Sequence, residues 1–171
     1  MMHLITGGSA SGKSAYAEQQ LLELPSPVRY YVATMQPWGE EGRQRVARHR
    51  AMRADKQFHT IECYSQLEQL VLPEDNGVLL LECMSNLAAN EQFEVGGSDA
   101  QICDRIGQGI RHLQKQTKHI IIVTNEVFSD GCRYDADTER YIRLLGQINV
   151  RLAELADQVT EVVYGLPIQL K

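Results

Sequence analysis

The chain has 171 residues, a length typical of one domain, and 43% of its residues are hydrophobic and 23% are charged. These proportions exclude a disordered or fibrous polypeptide, and no apolar run approaches the roughly 18–20 residues that a membrane-spanning helix requires. The 17 Lys and Arg residues against 22 Asp and Glu residues give a net charge of −5, which argues against a nucleic-acid partner.

Short apolar runs alternate with longer amphipathic segments, and this alternation predicts strands connected by helices. The predicted strands are Met2–Thr6, Val28–Ala33, Phe58–Ile61, Val78–Leu81, His119–Thr124, Gln158–Tyr164 and Leu166–Leu170. The predicted helices run approximately over Lys13–Glu23, Gly39–Ala54, Asp99–Lys115 and Asp137–Ala156. Asp99 is the expected N-cap of the third helix, after a polar stretch that ends in a turn at 96–99. We therefore expect a single α/β domain over residues 1–171, with a largely parallel sheet and an antiparallel carboxy-terminal edge.

The four cysteines and the first residues favour a cytoplasmic location. Cys63, Cys83, Cys103 and Cys132 lie far apart and form no Cys-x-x-Cys motif, so we expect reduced thiols and neither a zinc site nor a disulfide. The first residues lack a basic region followed by a long apolar one, so we expect no signal peptide.

A glycine-rich loop follows the first predicted strand and opens the first predicted helix. Its residues, which match the pattern G-x-x-x-x-G-K-[ST], are Gly7, Gly8, Ser9, Ala10, Ser11, Gly12, Lys13 and Ser14. This pattern between a strand and a helix is the phosphate-binding P-loop, whose backbone N–H groups surround phosphate oxygens. Lys13 would reach the β- and γ-phosphates of a nucleoside triphosphate, and Ser14 would bind Mg²⁺. The alternative is a turn rich in Gly and Ser that binds nothing.

Two glutamates follow predicted strands and are candidates for the carboxylate that a P-loop Mg²⁺ site requires. Glu82 comes directly after Val78–Leu81, and Glu62 directly after Phe58–Ile61. We expect at least one of them to face the nucleotide, and we favour Glu82 because its strand is expected to be the more buried.

Six of the 17 basic residues lie in one short stretch, at Arg43, Arg45, Arg48, Arg50, Arg53 and Lys56. On a helix, Arg45, His49 and Arg53 share one face, which Arg48 and Arg50 flank. One interpretation is a solvated basic face, the usual fate of a run of charges. The other is a second phosphate-contacting surface, in which neighbouring cations keep the His49 imidazole neutral and nucleophilic. The residues alone leave both interpretations open.

The whole chain, in order, resembles the family of the bifunctional adenosylcobinamide kinase/adenosylcobinamide-phosphate guanylyltransferase of cobalamin biosynthesis. The segments that carry the resemblance are the P-loop, Tyr31–Thr34, Arg45–Arg53, Thr60–Glu62, Leu80–Cys83, Val123–Val127, Gly146 with Asn149, and Gly165–Lys171. Many families share the P-loop, but the helix that contains His49 and the strand end Val123–Val127 are specific to this one.

The resemblance implies a three-layer, RecA-like P-loop NTPase fold and a cytoplasmic homotrimer that uses Mg²⁺. It implies that GTP or ATP phosphorylates adenosylcobinamide and that GMP from a GTP then passes to the resulting phosphate, through a GMP–histidine intermediate at His49. Lys13 and His49 are then the catalytic residues. The implied nucleotide contacts, besides the P-loop, are Ala33, Thr34, Met35, Arg50, Ala51, Met52, Arg53, Glu62 and Glu82.

This chain departs from the family pattern at two places. The family's P-loop commonly has Arg where this chain has Ala10, and the segment Phe128–Tyr134 replaces a frequent Gly-x-Gly-Ile-Val-Pro-Glu run. Neither departure includes Lys13, Ser14 or His49. Two other functions remain open: a P-loop small-molecule kinase without nucleotidyl transfer, and a GTP-binding regulatory module.

Overall fold

The computed structural model describes residues 1–53, 56–128 and 131–171, except for the side chains of residues 41, 45, 49, 52 and 53. In these ranges, one sheet contains seven strands in the order β3-β2-β4-β5-β1-β6-β7. The strands are β1 (Met2–Thr6), β2 (Arg29–Ala33), β3 (His59–Glu62), β4 (Gly77–Glu82), β5 (Thr117–Val123), β6 (Gln158–Val163) and β7 (Leu166–Gln169). All neighbouring strands pair in parallel except β6 and β7, which pair antiparallel. The predicted parallel sheet with an antiparallel edge is confirmed.

The helices cover both faces of this sheet. They are α1 (Lys13–Glu23), α2 (Gly39–Arg53), α3 (Met84–Asn90), α4 (Asp99–Gln116) and α5 (Ala136–Leu155), with a π-helical turn at Glu91–Val95 and a 3₁₀ turn at Leu67–Gln69. The end predicted for α2 at Ala54 lies outside the described residues. None of the helices in the described ranges is long and apolar enough to cross a membrane.

Alternating side chains of the strands form two cores, one on each side of the sheet. In β5, Ile120 and Ile122 belong to one core, whereas Ile121 and Val123 belong to the other. The first core packs against α3, α4 and α5 and the second against α1, which produces the predicted three layers. Helix α2 contributes no described side chain to the buried part of either core.

The structure corrects two details of the sequence prediction. The polar stretch after β4 contains α3, whose Met84, Leu87 and Ala88 are buried in the first core. Ser98, rather than Asp99, is the N-cap of α4: its side chain accepts a hydrogen bond from the backbone N–H of Gln101, and the Gln101 side chain accepts one from the backbone N–H of Ser98. This reciprocal capping box leaves Asp99 in the first turn, where its charge favours the helix dipole.

Candidate active site

The P-loop connects β1 to α1 and packs closely against the turn between β6 and β7. A Cβ atom at Gly7 would lie 2.5 Å from the carbonyl oxygen of Val162, so no larger residue fits there without a shift. Gly12 has φ 91°, and a Cβ atom on it would lie 3.2 Å from the Cα of Gly165. Gly165 also donates a backbone hydrogen bond of 2.8 Å to the carbonyl oxygen of Ser11. The loop therefore contacts both β6 and the β6–β7 turn.

Lys13, the first residue of α1, is folded back along the loop. Its side chain is only 8% exposed, and its Nζ donates a hydrogen bond of 2.9 Å to the carbonyl oxygen of Gly8. Burial lowers the pKa of Lys13, while the nearby Cys83 and Glu82 act in the opposite direction. The amine lies at the helix N-terminus, where the helix dipole favours a bound anion.

Ser14 and Glu82 meet although they lie far apart in the sequence. Ser14 Oγ donates a hydrogen bond to Glu82 Oε1, so the hydroxyl of α1 and the carboxylate at the end of β4 face each other. Thr34 holds the end of β4 in place: its Oγ1 donates to the carbonyl oxygen of Cys83 at 2.8 Å and accepts from the Cys83 N–H at 2.7 Å. The Thr34 side chain, which makes both of these bonds, is fully buried.

A cavity of about 670 Å³ opens over the loop, and we call it the P-loop cavity. It is lined by Ser9–Ala15, Met35, Arg48, Glu82, Cys83, Asn86, Val123 and Asn125. Ala10 thus faces the cavity, and its φ of 57° is in the left-handed region. A volume of this size over a P-loop fits the polyphosphate of a nucleotide.

A second cavity, which we call the side cavity, adjoins the first beneath α2. Its lining includes Tyr31, Ala33, Val46, Arg50, Thr60 and Glu62, and it shares Met35, Glu82, Cys83 and Asn86 with the P-loop cavity. Glu62 forms an ion pair with Arg50 and accepts a hydrogen bond of 2.7 Å from the Tyr64 hydroxyl. The favoured carboxylate, Glu82, therefore reaches both cavities, whereas Glu62 lies in the side cavity alone.

Helix α2 presents different arginines to the two cavities. Arg48 lines the P-loop cavity and Arg50 lines the side cavity, as expected for residues two positions and about 200° apart on a helix. Ala51 is exposed and lines neither cavity. The backbone of α2 carries His49 between the two arginines, but the predicted roles of the His49, Met52 and Arg53 side chains lie outside the described residues, as does that of Arg45.

The chain is similar to known proteins over almost its whole length. The family model described as "Cobinamide kinase / cobinamide phosphate guanyltransferase" matches residues 3–170. The chain belongs to this family. Two relatives named "Bifunctional adenosylcobalamin biosynthesis protein CobU" are similar over their full lengths and that of this chain: the Salmonella typhimurium protein is 33% identical and the Escherichia coli protein 32%. The Pseudomonas aeruginosa protein CobP, of the same description, is 29% identical over all of this chain and 98% of its own length.

Solved structures with a similar fold have distant sequences. One solved ATPase domain matches 94% of this chain and 68% of its own with a TM-score of 0.50 and 14% identity. The flagellar accessory protein FlaH from Methanocaldococcus jannaschii matches 99% of this chain and 77% of its own, with a TM-score of 0.51 and 14% identity. At these identities the likeness concerns the fold alone, and it confirms the predicted α/β fold with a mostly parallel sheet.

Two asparagines line the P-loop cavity; the sequence analysis named Asn125 only within the family segment Val123–Val127, and it did not name Asn86. Asn86 lies in the first turn of α3, and Asn125 follows β5 and donates a 2.5 Å hydrogen bond from Nδ2 to Ser85 Oγ. Asn125 could have been found as a polar residue at the end of the most apolar strand. Asn86 could not, because α3 was itself missed.

Proposed function

We propose that this chain phosphorylates adenosylcobinamide with GTP or ATP and then transfers GMP from GTP to the new phosphate. The observation that carries the proposal is the meeting of Lys13, Ser14 and Glu82 around one cavity, in a chain whose family is described by these two reactions. The products of the second reaction are adenosylcobinamide-GDP and pyrophosphate.

In the kinase step, the aminopropanol hydroxyl of the substrate attacks the γ-phosphorus. The new O–P bond forms as the bond to the β,γ-bridging oxygen breaks, and the hydroxyl proton passes to solvent. Lys13 follows the loop N–H groups at the amino end of α1, so its ammonium and the helix dipole oppose the charge that accumulates on the leaving diphosphate. Its hydrogen bond to the Gly8 carbonyl would be exchanged for phosphate oxygens.

Mg²⁺ fits the donors that face this cavity. Ser14 Oγ and Glu82 Oε1 are adjacent oxygen atoms, and hard cations prefer such ligands. Within the described part of the chain no cluster of three or more His, Cys, Asp or Glu side chains could hold a metal ion by itself. That pattern suits Mg²⁺, which usually binds through one or two protein oxygens plus phosphates and water. The bound ion would neutralise part of the negative charge of the phosphates.

In the guanylyl transfer, we assign His49 as the nucleophile. A neutral imidazole nitrogen attacks the α-phosphorus of GTP, an N–P bond forms, and the bond to the α,β-bridging oxygen breaks to release pyrophosphate. A phosphate oxygen of adenosylcobinamide phosphate then attacks the same phosphorus, and the N–P bond breaks. Support comes from the family resemblance and from the position of His49 between Arg48 and Arg50 along α2.

The test incubates the full chain with Mg²⁺ and GTP labelled at the α-phosphate, with and without adenosylcobinamide. We expect an acid-labile, alkali-stable GMP adduct that is absent in His49→Ala and present in His119→Ala. His119 is a suitable control because it lies near the amino-terminal end of β5, whereas the P-loop cavity is at the carboxyl end of that strand. Product masses should show the added phosphate and then the added GMP.

Each alternative function predicts a different result. A small-molecule kinase without nucleotidyl transfer would yield the phosphorylated product but neither adduct nor GMP-containing product. A GTP-binding regulatory module would bind GTP and release neither phosphate nor pyrophosphate when adenosylcobinamide is supplied. Either result would overturn the bifunctional assignment.

The proposal extends to the assembly and location of the enzyme. From the family resemblance we infer a single-domain chain that assembles into a cytoplasmic homotrimer. Light scattering coupled to size-exclusion chromatography should give about three times the chain mass of 19.3 kDa. A monomer under the conditions of the activity assay would contradict the trimer.

A further inference from the structure

Arg48 differs from the other described cations of α2 in its surroundings. It is exposed, lines the P-loop cavity together with Lys13, and makes no hydrogen bond or ion pair within the described part of the chain. Arg50 is paired with Glu62, and Arg43 is paired with Glu40 at 2.8 Å. The guanidinium of Arg48 is therefore available to a ligand, whereas the other two are already engaged.

The cavity that Arg48 lines is suited to anions. The loop N–H groups and the amino end of α1 attract negative charge, and Lys13 adds a full positive charge. The carboxylate that lines it, Glu82, accepts a hydrogen bond from Ser14. An additional cation in the lining of such a cavity repels Lys13 unless an anion lies between them.

We propose that Arg48 binds the terminal phosphate of a nucleoside triphosphate held in the P-loop cavity. In the kinase step the P-loop surrounds the inner phosphates, so the terminal phosphate is the one left for Arg48, which lines the same cavity from α2. A guanidinium group presents two parallel N–H donors that match two phosphate oxygens. This role rests on the proposed function, and it adds a nucleotide contact outside the segment 50–53 that the family resemblance implied.

The proposal predicts a difference between nucleotides that have and lack the third phosphate. Arg48→Gln should weaken binding of a non-hydrolysable GTP analogue by about ten- to a hundredfold, because a charge-assisted bidentate contact is lost. Binding of GDP should change by less than about twofold, because GDP has no phosphate at that position. Arg48→Lys should give an intermediate loss, since it keeps the charge but not the two parallel donors.

The measurement is isothermal titration calorimetry with the full chain and Mg²⁺, in the absence of any corrinoid. Arg43→Gln is the matched control because it removes the same charge from the same helix at a position that lines neither cavity. Its affinities for both nucleotides should equal those of the unaltered chain. The thermal melting temperature of Arg48→Gln should also be unchanged, because Arg48 makes no described bond that the substitution would remove.

Each other outcome overturns the proposal in a recognisable way. Equal affinity of Arg48→Gln and the unaltered chain for the triphosphate overturns the role of Arg48 alone. Equal losses for GDP and for the triphosphate place the contact on an inner phosphate instead. In a second titration with adenosylcobinamide phosphate present, a loss of triphosphate affinity that appears only there assigns Arg48 to the acceptor instead. If the unaltered chain binds neither nucleotide, the P-loop assignment and the proposed function fail together.

Discussion

The P-loop and helix α2 line the same cavity but are held in place by different forces. The loop is enclosed by backbone contacts with Val162 and Gly165, and the helix that it opens buries Ala17 and Leu21 in a core. Helix α2 has no described side chain that is buried, and ion pairs tie it and the residues after it to the rest of the chain. The phosphate-binding loop is thus part of the folded core, whereas the basic side chains reach the cavity from a helix at the surface.

The largest effect that this comparison predicts is at Lys13. Lys13→Ala should lower the rate of adenosylcobinamide phosphorylation by about a thousandfold, because it removes a preorganised cation from the transferring phosphate. A coupled assay of nucleoside diphosphate formation, with adenosylcobinamide as the phosphate acceptor, measures this rate. The melting temperature should be close to that of the unaltered chain. Near-normal phosphorylation would show that the loop does not act as assigned.

Shortening an apolar side chain to alanine should reduce stability more on α1 than on α2. Leu21 is fully buried, so Leu21→Ala should lower the free energy of unfolding by about 3 kcal/mol. Val46 on α2 is only partly buried, so Val46→Ala should lower it by less than about 1 kcal/mol. Urea unfolding followed by circular dichroism measures both. Similar losses would mean that α2 is as much a part of the core as α1.

The ion pair between Arg50 and Glu62 should contribute little to stability. Both side chains are substantially exposed, at 58% and 39%, so a double-mutant cycle with Arg50→Gln and Glu62→Gln should give a coupling of about 0.2–1 kcal/mol. The coupling should shrink further in 1 M salt because ions screen exposed charges. A coupling that is larger and insensitive to salt would show that α2 is fixed more firmly than its exposure indicates.

The smallest predicted effect concerns His3, on the strand that leads into the P-loop. Burial lowers the pKa of His3 below its ordinary value of 6.5, and its Nε2 lies 2.8 Å from Thr160 Oγ1. The unfolded chain therefore binds the proton more readily than the folded one. The contribution of neutral His3 is present above pH 6.5 and is lost as the pH falls from there towards the lowered value.

His3→Gln should accordingly flatten the dependence of the unfolding free energy on pH below pH 6.5. Urea titrations at several pH values measure the slope. The matched control is His112→Gln, because His112 lies outside β1 and hydrogen-bonds the carbonyl of Leu70 instead. An unchanged slope in His3→Gln would mean that another group causes the pH dependence.

The P-loop and most strands could be predicted because their signals are local. The loop is eight consecutive residues between a strand and a helix, and the predicted bounds of α1 agree with the observed Lys13–Glu23. The bounds of β1 also agree, whereas the other strands differ at one or both ends by one or two residues, since the last pairs of a ladder depend on neighbouring strands. The capping box at Ser98 and Gln101 also had a local signal, a Ser three residues before a Gln.

Other features of the site depend on the order of strands in the sheet. Glu62 and Glu82 both end short strands, and the sequence favoured Glu82 only because its strand was expected to be the more buried. The sheet decides it: β4 is separated from β1 by β5 alone, while β3 is at the far edge. The assignment of Arg48 to one cavity and Arg50 to another likewise required the position of α2 over the sheet, which no periodic pattern in its sequence supplies.

The contact between the P-loop and the β6–β7 turn joins distant parts of the sequence. Gly12 and Gly165 pack together, and Gly165 donates a backbone hydrogen bond to Ser11, so the shape of the loop is coupled to the pairing of the last two strands. A ligand that binds only this shape stabilises the folded chain. The gain in unfolding free energy grows with the logarithm of the ratio of ligand concentration to dissociation constant. Occupying the loop should therefore slow amide hydrogen exchange in β6 and β7, far along the chain from the residues that touch the phosphates.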